Sequence, residues 1–370
     1  MPAGDTERPR GVSVVIPTFN SAPWLPATLR ALDAAVAAAG ASQIEVVVVD
    51  DGSTDDTGDI LEVLAPKLDV PLTVIRTVNQ GRFLARWTGV SAARYSEIML
   101  VDSRVLVDRQ ALRYVADVRA HGDGDGPWNA HVDTSADTSL VGLFWEVPTY
   151  VFWGAYRAQP RPMLITPENF DRLPKGTTCF LVPHALYEEA CLANWPTENA
   201  HLISDDTKIL RHIAKRQAIR IDPGFRVEYR PRQSVRHFLE HSFVRGTLFV
   251  SSYAGTTRLR DAVLILLGLS VPVALAALVA AVVAGALVLW LVALLSALVV
   301  ATAVPTVIAL TRRCPGRAAL SFVAYLVPFG AVFWAGLCRG LIVHRASWWR
   351  VGRRNGRSPA PPEANGRSAA

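Results

Sequence analysis

An uncharged apolar segment, residues 262–311, constrains this 370-residue chain more than any other feature of its sequence. A helix needs roughly 20 apolar residues to cross the hydrocarbon core of a bilayer, so the segment is long enough for two crossings. We expect spans at about residues 263–283 and 287–310, with a tight turn near Gly285 between them. The chain is therefore predicted to be an integral, multi-pass protein of the cell membrane.

A third apolar segment, at about residues 318–338, is long enough to span but contains Pro328 and Gly330. If it crosses, the basic residues 346–370 lie outside, against the tendency of Lys and Arg to stay on the cytoplasmic side. If it is re-entrant or interfacial, they stay inside. The pattern leaves both topologies open, with crossing as the working expectation for a transmembrane region at 261–345. Residues 346–370 themselves are predicted to be a disordered tail.

The positive charge of the chain is concentrated near its apolar segments. The net charge is +6, and the excess of Arg follows Arg226. This placement indicates anionic lipid headgroups as the partner and excludes nucleic acid. Residues 231–260 are accordingly predicted to form amphipathic interface helices.

The N-terminal end and the cysteines indicate the compartment. Residues 1–10 are polar and without a hydrophobic core, so we expect a disordered N-terminus, no signal peptide and a cytoplasmic soluble domain. The four cysteines lack metal-ligand or redox spacing, which predicts a reducing compartment and no structural zinc.

Short β-branched runs alternate with helical segments in the first hundred residues. Residues 12–16, 44–49, 72–76 and 98–101 have the composition of strands buried on both faces. This alternation predicts an α/β fold with a Rossmann-like, mixed but mostly parallel sheet. Open sheets of this kind bind ligands at the carboxyl ends of their strands. Polar residues follow three of these strands, at Pro17-Thr18, at Asp50-Asp51-Gly52 and at Asp102-Ser103-Arg104.

Four motifs, in this order, resemble those of family 2 glycosyltransferases with the GT-A fold. They are Val-Ile-Pro-Thr-Phe-Asn at 15–20, Val-Asp-Asp-Gly-Ser-Thr-Asp-Asp-Thr at 49–57, Asn-x-Gly-x-x-x-Ala-Arg-x-x-Gly at 79–89, and a strand that ends in an Asp-x-x triplet at Asp102. The resemblance extends over about residues 11–246. It implies a GT-A glycosyltransferase domain at 11–230, followed by the C-terminal transmembrane helical region.

The resemblance also implies which residues bind the nucleotide-sugar donor. Asp51 is the candidate for the base or ribose contact, because a carboxylate accepts hydrogen bonds from both. Arg86 is the candidate near the diphosphate, since Arg pairs well with phosphate. The full nucleotide-binding set is Pro17, Thr18, Asp51, Gly81, Arg86, Asp102 and Arg104.

The triplet at Asp102 departs from the family pattern. Typical members carry Asp-x-Asp, whose last carboxylate coordinates Mg²⁺ or Mn²⁺ against the donor diphosphate, whereas this chain has Arg104 there. Either Arg104 neutralises the diphosphate and the metal is weakly bound or dispensed with, or Asp102 still holds a metal with waters. We expect a retained divalent cation, Mg²⁺ or Mn²⁺, at Asp102.

A second acidic motif, Ser204-Asp205-Asp206-Thr207-Lys208-Ile209-Leu210, resembles the Glu-Asp-x-x-Leu motif of the same family. In that motif the second acid is the catalytic base, which maps the role onto Asp206, with Asp205 as its supporting acid. The plainer interpretation is a helix start with Ser204 as its cap and acids in the first turn. Both can hold together.

The basic stretch that follows has a partial counterpart in polysaccharide synthases, which carry Gln-x-x-Arg-Trp. Residues 233–237 (Gln-Ser-Val-Arg-His) resemble it with His in place of Trp but lie too close to Asp206, whereas Arg245 lies at a better distance. Arg245 and Arg236 are therefore the candidates for the diphosphate or acceptor.

Two intermediate segments carry weaker signals. Residues 121–137 are rich in Gly, Asp, His and Ser and are predicted to be a flexible surface loop. Residues 140–156 are aromatic and nearly uncharged, which fits core, an acceptor groove or the membrane interface.

Together these features predict an inverting glycosyltransferase that moves a sugar from a nucleotide-sugar donor to a lipid-linked acceptor at the cytoplasmic membrane face, for cell-envelope glycan synthesis. A polyprenyl-phosphate glycosyltransferase and a polysaccharide synthase are the alternatives within this class. A catalytically weakened scaffold that binds nucleotide sugar is the alternative of another class, supported by Arg104 and opposed by the acidic pair that includes Asp206.

Overall fold

The computed structural model describes residues 8–196, 200–204 and 206–345. The predicted catalytic neighbour Asp205, residues 1–7 and the basic tail at 346–370 lie outside these ranges. Within the described residues the strands form one nine-stranded mixed sheet in the order β3-β2-β1-β4-β8-β6-β9-β5, with β7 beside β9. The strands are β1 Val12–Thr18, β2 Ile44–Asp50, β3 Leu72–Arg76, β4 Glu97–Val101, β5 Val105–Val107, β6 Trp128–Thr134, β7 Met163–Ile165, β8 Cys179–Pro183 and β9 Ile219–Tyr229.

The first half of the sheet is parallel, as the sequence predicted. Strands β1, β2, β3 and β4 pair in parallel, and Thr18 lies opposite Asp50 while Asp50 lies opposite Arg76. The apolar residues of these strands are buried because helices cover both faces of the sheet. The carboxyl ends of β1, β2 and β4 therefore reach the same edge.

The second half of the sheet is mixed and contains a strand where a loop was predicted. β6 runs parallel to β9 and antiparallel to β8, so it is an interior strand. Trp128 is fully buried, and Asn129 and His131 are also buried. The prediction of a flexible loop at 121–137 is therefore wrong at 128–134, because the polar residues of β6 are satisfied internally. Asn129 Oδ1 accepts from the Gly176 backbone N–H at 3.0 Å, and His131 Nδ1 lies 2.9 Å from the Tyr156 hydroxyl.

Helices connect and cover the strands and then continue into the membrane region. Trp24 and Pro26 mark the start of the first helix, and Gly40 ends it with φ of 62°. The helices are α1 Leu25–Ala39, α2 Thr57–Leu64, α3 Arg82–Ala92, α4 Ala111–Ala120, α5 Glu146–Ala158, α6 His184–Ala193, α7 Thr207–Arg216, α8 Val235–Tyr253, α9 Arg258–Val283, α10 Leu287–Thr311 and α11 Gly316–Val343.

Three of the helices within the described residues, α9, α10 and α11, are long and apolar enough to cross a bilayer. α9 and α10 form a hairpin that turns at Gly285, and most of their large hydrophobic side chains are exposed. α10 returns to the base of the soluble domain, where Arg312 Nη1 donates to the carbonyl oxygens of Tyr150 and Val151 at 2.8 and 2.7 Å. The hairpin thus extends away from the sheet while both of its ends stay beside the domain.

The segment predicted as interface helices, 231–260, is mainly the single helix α8, which packs along α11. Glycine permits this close approach, since a Cβ built on Gly336 would lie 2.0 Å from the Phe243 carbonyl oxygen. Thr247 Oγ1 donates to the Gly336 carbonyl oxygen at 2.9 Å. The segment also contains the start of α9 at Arg258. One face of α8 is therefore covered by protein and does not face lipid headgroups.

The aromatic segment at 140–156 lies in the same base. Phe144 is fully buried and contacts Phe238 of α8 and Phe322 and Phe329 of α11, with ring centroids 5.2, 5.3 and 4.6 Å away. Of the three interpretations of this segment, packing in a core accounts for Phe144. That core joins the sheet domain to the membrane helices.

Candidate active site at the carboxyl edge of the sheet

The carboxyl ends of β1 and β2 meet at Thr18 and Asp51. The Asp51 backbone N–H donates to the Thr18 carbonyl oxygen at 2.9 Å. Pro17, next to Thr18, lies within β1 opposite Val49. Thr18 is 2% exposed, and its Oγ1 is buried with no hydrogen-bond partner among the described residues. A buried hydroxyl without a partner is uncommon, and it is available to a ligand at this edge.

Asp51 organises the loop that leads into α3. Its Oδ1 accepts from the Gln80 backbone N–H and its Oδ2 from the Gly81 backbone N–H, both at 2.8 Å. Gly81 has φ of 88°, and a Cβ there would lie 2.5 Å from the His201 Cα atom. Only glycine fits this conformation and approach. The predicted nucleotide residues Asp51 and Gly81 are thus linked to each other, and they bring the start of α3 against the loop that precedes Asp206.

Arg86 and Asp102 form an ion pair below this edge. Arg86 Nη2 lies 2.5 Å from Asp102 Oδ1, and the Arg86 side chain is 5% exposed against 35% for Asp102. The same guanidinium group lies 3.4 Å from the Thr177 carbonyl oxygen. Arg86 is therefore engaged within the protein, and one oxygen of Asp102 is already used. A buried Arg requires such a partner, because an unpaired charge is costly to bury.

Asp206 is the N-cap of α7, a place that the sequence analysis gave to Ser204. Its Oδ1 accepts from the Ser204 hydroxyl at 2.7 Å, from the Thr207 hydroxyl at 2.9 Å and from the Thr207 backbone N–H. These hydrogen bonds outweigh the effect of burial and lower the pKa of Asp206, with a further contribution from Arg82. Within the described residues every hydrogen bond to the Asp206 side chain ends on Oδ1, and the Asp206 backbone carbonyl oxygen accepts from the Leu210 N–H at 2.8 Å. The group is therefore an ionised carboxylate with Oδ2 available.

A group of basic side chains, which we call the guanidinium cluster, lies beside these carboxylates. It consists of Arg82, Arg104, Arg232 and Arg245. Burial lowers the pKa of Arg245 and Arg104, and it lowers that of Arg232 to about 10 with the help of the neighbouring arginines. The carboxylates of Asp206 and Asp102 raise the pKa of Arg245, against the effect of burial. The carboxylates and the cluster therefore belong to one site.

Aromatic and polar groups enclose part of this cluster. The Arg245 guanidinium lies 4.3 Å from the Trp145 ring centroid, and that of Arg104 lies 4.4 Å from the Trp24 ring centroid. A cavity of about 70 Å³ is lined by Arg232, Arg245, His241, Tyr229 and Trp145, among others. Contacts of Arg with aromatic faces hold the guanidinium planes without using their N–H donors.

The structure brings most of the predicted residues together but not Arg236. Arg236 lies on the exposed side of α8, where its side chain is 85% exposed and pairs with Glu240 at 2.9 Å. It is separated from the site that contains Arg245, so we remove it from the candidate residues. The sequence analysis assigned no role to Arg82, Arg232, His241 or Tyr229. Arg232 could have been found from the excess of Arg after residue 226. Arg82 could have been found from the 79–89 motif, which contains it.

The residues present do not fit the divalent cation that the family resemblance implies. Arg104 occupies the position of the usual metal carboxylate, and its guanidinium faces the same site. Asp102 is paired with Arg86. No cluster of three or more His, Cys, Asp or Glu side chains that could hold a metal occurs in the part of the chain that the structure describes. Among the described residues, the surroundings of Asp102 are thus poor in oxygen ligands and rich in cations, which repel a metal ion.

Comparison with known proteins finds glycosyltransferases. Residues 13–169 match the model of the family described as glycosyl transferase family 2. This part of the chain is therefore similar to glycosyltransferase family 2. The match covers β1 to β7 of the sheet, including Asp51, Arg86 and Asp102.

Two curated relatives show similar local sequence. A PGL/p-HBAD biosynthesis glycosyltransferase of Mycobacterium tuberculosis is 41% identical over 81 residues, which are 22% of this chain and 30% of that one. An undecaprenyl-phosphate 4-deoxy-4-formamido-L-arabinose transferase of Pseudomonas syringae is 37% identical over 93 residues, 25% of this chain and 27% of that one. The chain thus spans less than a third of the length of these relatives.

A solved structure shares the fold over nearly the whole chain. A mannosyltransferase from Pyrobaculum calidifontis, solved with GDP-Man and Mn²⁺, has a TM-score of 0.57 and 21% sequence identity, and the match covers 91% of this chain and 88% of that one. The GT-A-like mixed sheet and the C-terminal helices are therefore an arrangement that another protein also has.

Proposed function

We propose that this protein is a membrane-anchored inverting glycosyltransferase, which moves a sugar from a nucleotide-sugar donor to a lipid-linked acceptor at the cytoplasmic membrane face. The observation that carries the proposal is the Asp206 carboxylate. Its Oδ1 is held by Ser204 and Thr207, its pKa is lowered, and the guanidinium cluster lies beside it. An inverting transfer needs a base held at a fixed position next to a binding site for the donor diphosphate.

The reaction that we propose is a single displacement. An acceptor hydroxyl oxygen attacks the anomeric carbon, the bond from that carbon to the diphosphate oxygen breaks, and the nucleoside diphosphate leaves with the bonding electron pair. The hydroxyl proton passes to Asp206 Oδ2. The guanidinium cluster stabilises the negative charge that develops on the leaving group. Asp51 acts in this scheme by holding the Gln80 and Gly81 amides in place.

The membrane region supports a lipid-linked acceptor. The cavity beside Arg245 and Trp145 lies where the domain packs on α8 and α11. Three helices of the described residues have the length and composition of membrane spans. An acceptor held in the bilayer by its lipid would thus approach the Asp206 side of the domain along the base that these helices form. The basic side chains near the apolar segments support a cytoplasmic domain.

The experiment is transfer of radiolabelled sugar from nucleotide-sugar donors into an organic-extractable fraction by the full-length protein in membranes. Asp206→Asn keeps an N-cap residue, so the fold should persist, while transfer to a hydroxyl acceptor falls by about 10²–10⁴. Asp59→Asn, an exposed acid on α2, is the matched control and should transfer normally. If Asp206→Asn has wild-type transfer, Asp206 is not the base, and if the wild type transfers nothing from any donor, the scaffold alternative is favoured.

A polyprenyl-phosphate acceptor is the second candidate, favoured by the relative whose name includes undecaprenyl-phosphate. A phosphate oxygen attacks without losing a proton at neutral pH, so it needs no base. Asp206→Asn would then lower transfer by less than tenfold. The same variant therefore separates the two acceptor classes.

A further inference from the structure

We propose that Arg104, Arg232 and Arg245 bind the donor diphosphate and neutralise it without a divalent cation. This rests on the proposed function only in that the donor is a nucleoside diphosphate sugar. It departs from the family pattern, in which a carboxylate in the position of Arg104 coordinates the metal. The inference is carried by where these three guanidinium groups lie.

Strand pairing brings Arg104 next to the segment that carries Arg232. β5 pairs with β9 so that Val105 lies opposite Tyr229, and the Arg230 backbone N–H donates to the Arg104 carbonyl oxygen at 3.0 Å. The two arginines thus come from adjacent strand ends. Both guanidinium groups lie near the Tyr229 side chain, which raises the pKa of each against the effect of burial.

Arg104 has donor capacity that the protein does not use. Its Nη1 is buried and has no hydrogen-bond partner among the described residues. Its guanidinium stacks on Trp24, which fixes the plane of the group. A buried N–H without an acceptor is costly, and the cost is removed when an anion binds. Phosphate oxygens are suitable acceptors for such a planar group.

Arg232 and Arg245 line a cavity together with His241 and Glu146, and Glu146 is paired with Arg157. Among the described residues, the carboxylates that act on Arg245 are those of Asp206 and Asp102, and Asp102 is paired with Arg86. Like charges gathered in a partly buried place repel each other, so the site gains free energy when a dianion enters. A diphosphate diester carries two negative charges, which offset part of the positive charge of these guanidinium groups.

The test measures binding by calorimetry to the full-length protein in detergent, with UDP, GDP and inorganic pyrophosphate as probes. Each is titrated in excess EDTA and again with Mn²⁺. We expect at least one probe to bind, with a Kd that changes less than twofold between the two conditions. Arg104→Gln, Arg232→Gln and Arg245→Gln should each weaken that binding at least tenfold, because one charge-assisted contact is lost. Arg113→Gln, an exposed residue of α4, is the matched control and should bind as the wild type does.

Several results would overturn the inference. They are loss of binding in EDTA, unchanged binding in all three variants, or no binding of any probe in either condition. Arg104→Lys checks folding, because it keeps the charge and should retain more affinity than Arg104→Gln. Arg104→Asp should make binding dependent on Mn²⁺, since it restores the usual carboxylate. If diphosphate binds without metal and no sugar is ever transferred, the proposed function fails while this inference stands.

A second inference rests on an independent observation, that both ends of α11 contact the soluble domain. At its start, Arg317 Nη2 lies 3.4 Å from the Thr138 carbonyl oxygen. At its end, His344 is buried beside the backbone of Leu202 and near Lys208. We infer that α11 lies in the plane of the membrane interface and does not cross. The two crossings are then α9 and α10.

Length and exposure support this orientation. A helix of 28 residues is about 42 Å long, close to the full thickness of a bilayer with its headgroups. If α11 crossed, Thr138 and Lys208 would lie on opposite sides of the membrane, although both belong to the glycosyltransferase domain. The side of α11 away from α8 is apolar and exposed at Leu320, Val323 and Val327, as expected of a helix that rests on lipid.

Topology reporters on the full-length protein in a bacterial host test this inference. Green fluorescent protein fused at the C-terminus should fluoresce, and alkaline phosphatase fused there should be inactive. The matched control is the same phosphatase inserted after Gly285, at the turn of the α9–α10 hairpin, where it should be active. An active phosphatase at the C-terminus, or an inactive one after Gly285, would overturn it.

Discussion

The carboxylate of Asp51 accepts a hydrogen bond from the Gly81 backbone N–H at 2.8 Å, across 30 positions of the sequence. With the matching bond from Gln80, this contact closes the loop from which α3 begins. α3 in turn carries Arg82 and Arg86 to the site. Asp51 thus acts on the site through the backbone, in addition to any contact with a nucleotide.

Replacing Asp51 should weaken both the fold and the binding of nucleotide. Asp51→Ala leaves two amides without acceptors, and we expect the free energy of unfolding to fall by about 1–3 kcal/mol. Urea unfolding in detergent, followed by circular dichroism, measures this change, and Asp59→Ala on α2 is the control. A variant of normal stability that no longer binds nucleotide would instead mean that the carboxylate acts on the ligand alone.

Trp128 should prove essential for stability. It is fully buried in β6, and its indole N–H donates to the Gly124 carbonyl oxygen at 2.6 Å. Trp128→Ala should lower the free energy of unfolding by about 3–5 kcal/mol, because it leaves a large cavity. The exposed neighbour Asp125→Ala should be nearly neutral in the same urea titration. Equal stability of the two variants would contradict an interior strand at this position.

Two glycines of α11 should respond to alanine in opposite directions. A Cβ at Gly336 would meet the Phe243 carbonyl oxygen, whereas a Cβ at Gly330 would meet nothing within 4 Å. Gly336→Ala should therefore destabilise by about 1–3 kcal/mol through overpacking. Gly330→Ala should stabilise by up to about 1 kcal/mol, because alanine favours helix. Thermal unfolding midpoints measured in the same detergent show whether each variant is less or more stable than the wild type. A Gly336→Ala variant as stable as the wild type would mean that α8 and α11 are not in contact.

His241 should make the protein less stable as the pH falls below neutrality. Burial and the surrounding arginines hold the pKa of His241 well below its usual value of about 6.5. Those arginines are Arg82, Arg104, Arg232 and Arg245. Below pH 6.5 the unfolded chain takes up a proton at His241 that the folded protein does not, so the free energy of unfolding decreases. Above pH 6.5 the imidazole is neutral in both states and contributes nothing to the pH dependence.

The measurement for His241 is the drop in unfolding midpoint between pH 7.5 and pH 5.5. His241→Asn should show a smaller drop than the wild type, because the titrating group is gone. His237→Asn, one turn earlier on the exposed side of α8, should show the wild-type drop. If the unfolding midpoint of His241→Asn drops as much as that of the wild type, other titrating groups cause the pH dependence.

The parallel half of the sheet was predictable because its strands are continuous apolar runs. Residues 12–18, 44–50 and 97–101 bury nearly every side chain, so their composition alone identifies them. The three strand ends meet as predicted, since parallel strands must place their carboxyl ends on one edge. The predicted spans at 263–283 and 287–310 agree closely with α9 and α10 for a similar reason.

What could not be predicted depends on long-range contacts. β6 combines buried Asn129 and His131 with partners from other elements, so its sequence has no strand-like pattern. The cap of α7 is Asp206 and not Ser204, because the Ser204 hydroxyl donates to Asp206. The guanidinium cluster unites residues from α3, from the end of β4, from the segment after β9 and from α8, which no local motif connects.

One hydrogen bond connects α8, on the membrane side of the domain, to the loop that precedes Asp206. The backbone N–H of Ser204, two residues before Asp206, donates to the hydroxyl oxygen of Ser251 on α8 at 3.2 Å. Since α8 lies along α11, a shift of α11 is transmitted to the acid through one helix and one hydrogen bond. If the proposed transfer takes place at this site, bilayer thickness and the choice of detergent should alter turnover before they alter affinity for the donor.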